Sequence, residues 1–242
     1  MLRCFAKFTT LSFILGTIPN LTWASDPQDP WESYNRPVYH FNKKIDTYIF
    51  KPIAQGYRAI TPQFADAGIT QFFNNLQEPL VAVNNGLQGK GHQSINDLSR
   101  FVVNTVSSLG FVDVAAKIGL EKHEEDFGQT FATWGAPSGA YVVLPFLGSS
   151  TVRDALAKPF DSVVNPRNLV KDTATNVGLF ALEMVDFRAD IIPLEKIIEG
   201  DEYVFLRDVY LQRRNFLVHD GQVKDTFMED DDASTESSPT TP

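Results

Sequence analysis

The chain has very few of the residues on which several kinds of chemistry depend. Cysteine occurs once in 242 residues, as Cys4. No disulfide can form within one chain, and no thiolate zinc site can be built. The four histidines, His40, His92, His123 and His219, form neither an H-E-x-x-H helix nor an H-x-H pair, so metal ligation has no support in their spacing. Basic charge is scarce: the net charge is −9 and the isoelectric point about 4.9. There is no basic stripe of the kind that nucleic acid requires. Beyond the first residues there is no run of about twenty apolar residues, which a spanning helix needs.

The N-terminus has the order of a secretory signal: basic Arg3 and Lys7, an apolar run from Phe8 to Ile18, and T-W-A before Ser25. We expect residues 1–24 to be removed on export, with Cys4 among them. At the other end DTFMEDDDASTESSPTTP carries Asp225, Glu229, Asp230, Asp231, Asp232 and Glu236 and no base. That composition predicts a disordered, solubilising tail over 225–242. The apolar fraction of 43% is ordinary for a folded domain, which is expected over 25–224.

Periodicity within that domain is helical. Tyr34, Val38, Phe41, Ile45 and Tyr48 recur at spacings of four and three, and Ile95, Leu98, Phe101, Val102 and Val106 do the same. Pro52 is expected to end the first helix. Thr61 is expected to cap the next one, with Pro62 in its first turn, and Glu78-Pro79 to restart the chain. Gly89 should terminate a helix. Tyr141 to Leu144 is the one convincing extended run, followed by helices from about Ser150 and from EYVFLRDVYLQRRNFLVH. The fold class is mainly α, with little or no β structure.

Catalytic patterns are missing. GAPSGA around Ser138 lacks the G-x-S-x-G elbow, and Gly86 to Gly91 lacks P-loop spacing. His123-Glu124-Glu125-Asp126 is expected to be a solvated helix start whose acids favour the positive end of the helix dipole. No cofactor is indicated.

FVVNTVSSLGFVDVAAKIGL, Phe101 to Leu120, splits at Ser107-Ser108-Leu109-Gly110 into two short amphipathic arms, with Asp113 and Lys117 spaced to pair on one helix face. Two readings fit this pattern equally. One is an ordinary helical hairpin in a soluble core; the other is a hairpin that enters one leaflet or lies along an interface.

The succession DPWESYNRPVYHFN (Asp29 to Asn42), NLQEPLVAVN (Asn75 to Asn84), RFVVNT (Arg100 to Thr105), GFVDVA (Gly110 to Ala115), DFGQT (Asp126 to Thr130) and LPFLGSSTVRD (Leu144 to Asp154) resembles the VacJ/MlaA family, in order and over about residues 26–220. The resemblance implies an outer-membrane component of the system that retrieves misplaced phospholipids. It implies helices forming a ring in the membrane, around a polar channel, and no bond chemistry. Its implied partners are phospholipid, a trimeric porin and a soluble periplasmic carrier. Alternatives that remain are a soluble periplasmic lipid carrier or a phospholipase.

By position in those motifs, Gly110, Phe111, Val112, Asp113, Lys117 and Gly119 would form the hinged hairpin associated with gating. Phe41 and Asn42 would govern helix packing around the pore. Arg153 would contact phosphate, since a guanidinium offers a fork of donors, with Asp154 beside it as channel residue or ion-pair partner. One departure stands out. Members are typically lipoproteins with a lipobox cysteine, whereas the junction here is T-W-A-S and no cysteine follows Cys4. Either protein surfaces alone hold the chain at the membrane, or its true start lies elsewhere.

Overall fold

The computed structural model describes residues 29–222. The expected leader, 1–24, and the acidic tail, 225–242, lie outside the described residues. Nine α-helices and one two-stranded sheet occur among the described residues: α1 Glu32–Ile45, α2 Lys51–Ile60, α3 Gln63–Leu87, α4 Gly91–Ser108, α5 Val114–Lys117, α6 Phe127–Thr133, β1 Tyr141–Leu144, β2 Gly148–Thr151, α7 Val152–Val164, α8 Thr173–Ile191 and α9 Glu202–Val218. Short 3-10 turns, Pro166–Leu169 and Ile192–Ile197, flank α8.

Prolines are absorbed where the sequence suggests breaks. Pro52 does not end the first helix: α1 runs through a π-helical stretch, Asp46–Phe50, into α2, with Pro52 near the start of α2. A proline ring clashes with the carbonyl four residues back, and the wider π turn relieves that crowding. Pro79 lies inside α3, which is 25 residues long and does not restart there. Packing on α4 offsets the missing hydrogen bond. Thr61 closes α2, and Pro62, at φ −64 and ψ 148, stands before the first turn of α3 without a side-chain cap. Gly89, at φ +81, ends α3 as expected.

The chain does reverse at Ser107 to Gly110 as expected, and the arm beyond runs back along α4, its Leu120 carbonyl accepting from Arg100 and its Glu121 carbonyl from Asn96. α4 ends at Ser108, with Leu109 left-handed at φ 54, but the following arm holds only the four-residue α5. A second and longer hairpin is α3 on α4, joined by a short turn and therefore antiparallel. Its rungs fall in the matching order: Asn75 Nδ2 donates to Thr105 Oγ1 at 2.9 Å, Arg100 Nε to Glu78 Oε1 at 2.8 Å, and Asn85 Nδ2 to Asp97 Oδ2 at 2.7 Å.

Those rungs are polar, and this reverses the usual arrangement of a globular protein. On α4, Asp97, Arg100 and Asn104 point inward and are fully buried, while Ile95, Leu98, Val102 and Val106 form the opposite, exposed stripe. Apolar side chains of α1 to α3 do likewise: Tyr34, Phe41 and Tyr48 face outward, and Ile60 and Phe64 are 83% and 82% exposed. The periodicity read from the sequence is correct, but the faces point the other way. A compact apolar core survives around Tyr141, Val143 and Tyr203, packed by Val38, Tyr39, Val204, Tyr210 and Leu211.

The sheet is two antiparallel strands, with Tyr141 opposite Thr151 and Leu144 opposite Gly148. Its open edge is covered by side-chain amides of α1. Asn35 donates to the Tyr141 carbonyl at 3.1 Å and accepts from the Val143 N–H at 2.8 Å. Asn42, two turns on and so on the same face, donates to the Leu144 carbonyl at 2.9 Å and accepts from the Phe146 N–H at 2.8 Å. These bonds do for β1 what a neighbouring strand would do. No helix among the described residues is long and apolar enough to cross a membrane.

Candidate functional site

An open cavity of about 610 Å³ lies among α3, the segment before α6, α6, α7, the first 3-10 turn, α8 and α9, with many charged and amide side chains and with Leu80, Val81, Phe187 and Leu217 in its walls. α3 contributes Asn74, Gln77 and Glu78, and α9 contributes Tyr210, Arg213 and Arg214. Between them lie Lys122 to Asp126, Asp161 and Arg167. It adjoins a second cavity of about 490 Å³ that shares Lys122, His123, Glu124, Glu125, Arg213 and Leu217.

The local sequence explains how these groups are held. Asp126 caps α6 by accepting the Gln129 N–H at 2.8 Å, and the same carboxylate takes both ends of the Arg214 fork, at 2.5 and 2.7 Å. Burial works against its ionisation, but Arg214 and the backbone donors outweigh that and hold its carboxyl below the ordinary range. Arg214 also reaches Asp154 at 2.9 Å, which in turn accepts from Tyr210 at 2.8 Å and from Arg153 at 3.1 Å.

The run His123 to Asp126 does begin a helix, with Asp126 at the N-cap of α6, but apart from the exposed Glu124 it is held by side chains rather than by water. His123 Nδ1 lies 2.6 Å from Asp97, Glu125 is buried on Lys90 at 2.9 Å and Gln88 at 2.7 Å, and Glu124 pairs with Arg213 at 2.6 Å. Only tertiary neighbours supply those partners. Asp161 is different. It accepts the Phe127 N–H at 2.9 Å, at the start of α6, and has no ion pair among the described residues. Burial, with Asp126 nearby, pushes its carboxyl up to about 6.

A pH effect follows from Asp161. Its folded-state value lies above the ordinary 3.8. Protonation thus favours the fold, and that contribution fades as pH rises from about 4 through 6. Asp161→Asn, whose oxygen still accepts from Phe127, should match the wild type near pH 4. Above pH 6 it should be more stable by about 1 kcal/mol, a figure reduced for the solvent that reaches the group. Thermal melts in detergent at the two pH values measure the difference.

The residues singled out from the sequence fall into three places, none lining the main cavity. Arg153 and Asp154, at the start of α7, are buried and bonded to each other. Arg153 faces a smaller cavity of about 200 Å³ beside Ser138, Arg214 and His219. Gly110, Phe111, Val112, Asp113, Lys117 and Gly119 lie at the far end of the α3–α4 pair, where Phe111 stacks on Phe72 at 5.1 Å. Asp113 does not pair with Lys117. It caps α5 through the Ala116 N–H and binds Arg100 at 2.8 Å, while Lys117 is exposed. The helix is too short and Asp113 too early in it for the fourfold spacing to act. Phe41 and Asn42 sit at the sheet, where Phe41 meets Phe146 edge-on at 5.4 Å.

Sequence reasoning missed Asn74, Gln77, Lys122, Asp161, Arg167, Arg213 and Arg214. The available signal was polar residues at helical spacing on the face opposite an apolar stripe, as with Arg213-Arg214 in α9. Among the described residues no group of three or more His, Cys, Asp or Glu is placed to hold a metal ion.

The chain matches the family described as MlaA lipoprotein over residues 27–217. The intermembrane phospholipid transport system lipoprotein MlaA of Escherichia coli (strain K12) is 35% identical over 233 residues, covering 92% of this chain and 90% of that protein. The protein of the same name from Haemophilus influenzae is 29% identical and covers 82% of each. An uncharacterized protein of Rickettsia typhi is 34% identical, covering 77% of this chain and 76% of its own. A solved chain reported under "Structural basis for maintenance of bacterial outer membrane lipid asymmetry" superposes with a TM-score of 0.69 at 31% identity, over 78% of this chain and 98% of that one.

Proposed function

This chain belongs to the MlaA lipoprotein family, and on that premise we propose that it removes misplaced phospholipids from the outer leaflet of the outer membrane and so maintains lipid asymmetry. The observation that carries the reading is the reversed distribution of polarity. Helices with exposed apolar stripes surround an open cavity into which many charged and amide side chains project beside a few apolar ones. A phospholipid needs both surfaces. Its head group carries charge that costs many kcal/mol to place in hydrocarbon, and its tails are excluded from water. A polar passage for the head group beside an apolar exterior for the tails lowers both costs at once.

In this reading the protein moves a lipid without breaking a bond and is not an enzyme. The lipid passes to a periplasmic carrier, and a trimeric porin steadies the ring in the membrane. The exposed apolar surface contributes to holding the chain there, since such binding scales with buried area. Such a surface argues against a soluble carrier, since large exposed apolar patches are rare on soluble monomers.

The test is made in the native host. Cells lacking the chain should show several-fold more outer-leaflet phosphatidylethanolamine when labelled with a membrane-impermeant amine reagent, and expression of the full chain should restore the low level. Unchanged labelling would overturn retrieval. Recovery of the chain in the soluble periplasm would favour the carrier.

A further inference from the structure

Between α3 and α8 a cleft of about 350 Å³ opens on the flank of the main cavity, and the two share Asn74, Gln77, Arg167 and Phe187. Its apolar wall is Phe73, Phe180 and Phe187, and its charges are Arg167, Glu183, Asp186 and Asp190. Arg167 is the one guanidinium of this cleft. Its Nη1 is bound by Glu183, its cationic carbon lies 5.0 Å from the centre of the Phe180 ring, and its buried Nε has no hydrogen-bond partner. Glu183 alone does not saturate a fork of five donors.

The carboxylates follow one face of α8. Glu183 is engaged by Arg167, and Asp186, one turn on, accepts Tyr57 at 2.8 Å and Thr70 at 2.9 Å. Asp190 is a further turn along, exposed, and makes no hydrogen bond or ion pair among the described residues, although Arg58 acts on it through space. Three carboxylates thus face one guanidinium. An anionic head group would meet surplus negative charge, whereas a head group bearing both a phosphate and an ammonium would find a partner for each. Phenylalanines beside these charges suit the first carbons of the acyl chains.

We propose that this cleft recognises an amine-bearing zwitterionic phospholipid, with its phosphate on Arg167 and its ammonium on Asp190, at the point where the lipid enters the polar cavity. The proposal rests on the retrieval reading and adds a head-group preference to it.

The test uses the purified full chain in detergent, exposed to equal amounts of phosphatidylethanolamine and phosphatidylglycerol with identical acyl chains. Retained lipid is then counted by head group in a mass spectrometer. The wild type should favour phosphatidylethanolamine by about fivefold, which is what one exposed ion pair supports. Asp190→Asn should bring the ratio close to one by lowering retention of phosphatidylethanolamine about fivefold while leaving retention of phosphatidylglycerol similar. Arg167→Gln should lower retention of both lipids about tenfold, and Arg167→Lys should recover most of it. No preference in the wild type, or a preference that survives Asp190→Asn, overturns the proposal while leaving retrieval intact. Equal losses from the glutamine and lysine variants, with lowered melting, would make Arg167 structural and overturn it as well. A wild type that retains neither lipid would overturn the retrieval reading itself.

Discussion

Arg100→Leu should lower stability by about 3–5 kcal/mol, the usual cost of removing one partner from a buried ion pair. Arg100 is fully buried within the α3–α4 hairpin. It donates to Glu78 at 2.8 Å, to Asp113 at 2.8 Å and to the Leu120 carbonyl at 2.6 Å. Without it Glu78, 1% exposed, must hold an unpaired charge or take up a proton, in a site whose burial already raises its pKa against the opposing pull of Arg100. The loss should also free the segment from Gly110 to Leu120, which Arg100 ties to α3 and α4. Two measurements check this. Thermal melts in detergent give the stability change, and hydrogen exchange should show faster exchange from Gly110 to Leu120 than in the wild type. Adding Glu78→Gln to the Arg100 variant should recover part of the loss, because the stranded charge goes with it. A change below about 1 kcal/mol, or no recovery in the double variant, would mean the cluster is not a unit.

The second large effect is expected at Gly128, in the first turn of α6. A Cβ placed there would lie 2.3 Å from Arg214 Nη2 and 2.5 Å from Asp154 Oδ1. Those atoms belong to the Arg214–Asp126–Asp154 network that joins α6, α7 and α9, so they can move aside only by breaking its hydrogen bonds. Gly128→Ala should therefore cost about 3–5 kcal/mol by separating a buried guanidinium from its carboxylates. Gly119→Ala is the useful contrast. Gly119 has φ +87 but open space around it, so only backbone strain of about 1 kcal/mol is expected. Melting curves of the two variants in the same detergent compare crowding with strain. Gly110 combines both features, since its φ is +87 and its Cβ would lie 2.8 Å from Asn75 Nδ2.

Helix placement was legible because 3.6-residue periodicity is a local property. The apolar stripe on α4, the last helix and the stop at Gly89 all stand where the pattern puts them. Prolines misled for a reason that is also physical: Pro52 and Pro79 carry a local penalty, which long-range packing and a π turn absorb. The β2 strand, GSST, was not seen, because a glycine, two serines and a threonine become a strand only when β1 stands beside them. Asp113 was paired with the wrong cation, because spacing along the chain says nothing of Arg100 reaching across from another helix.

The amino-acid sequence by itself determined a mainly helical chain, acidic, with a single cysteine and no catalytic pattern, and its ordered motifs already pointed to the family. Its periodicities also determined that helices such as α1 and α4 have one polar and one apolar face. Which face turns inward was decided only by the tertiary structure. A helical pattern is unchanged when the helix is rotated by half a turn, so the choice depends on what the other helices present. Here they present Asn, Asp, Glu and Arg side chains that satisfy one another across helices far apart in sequence, leaving the apolar stripes outside and a charged cavity within.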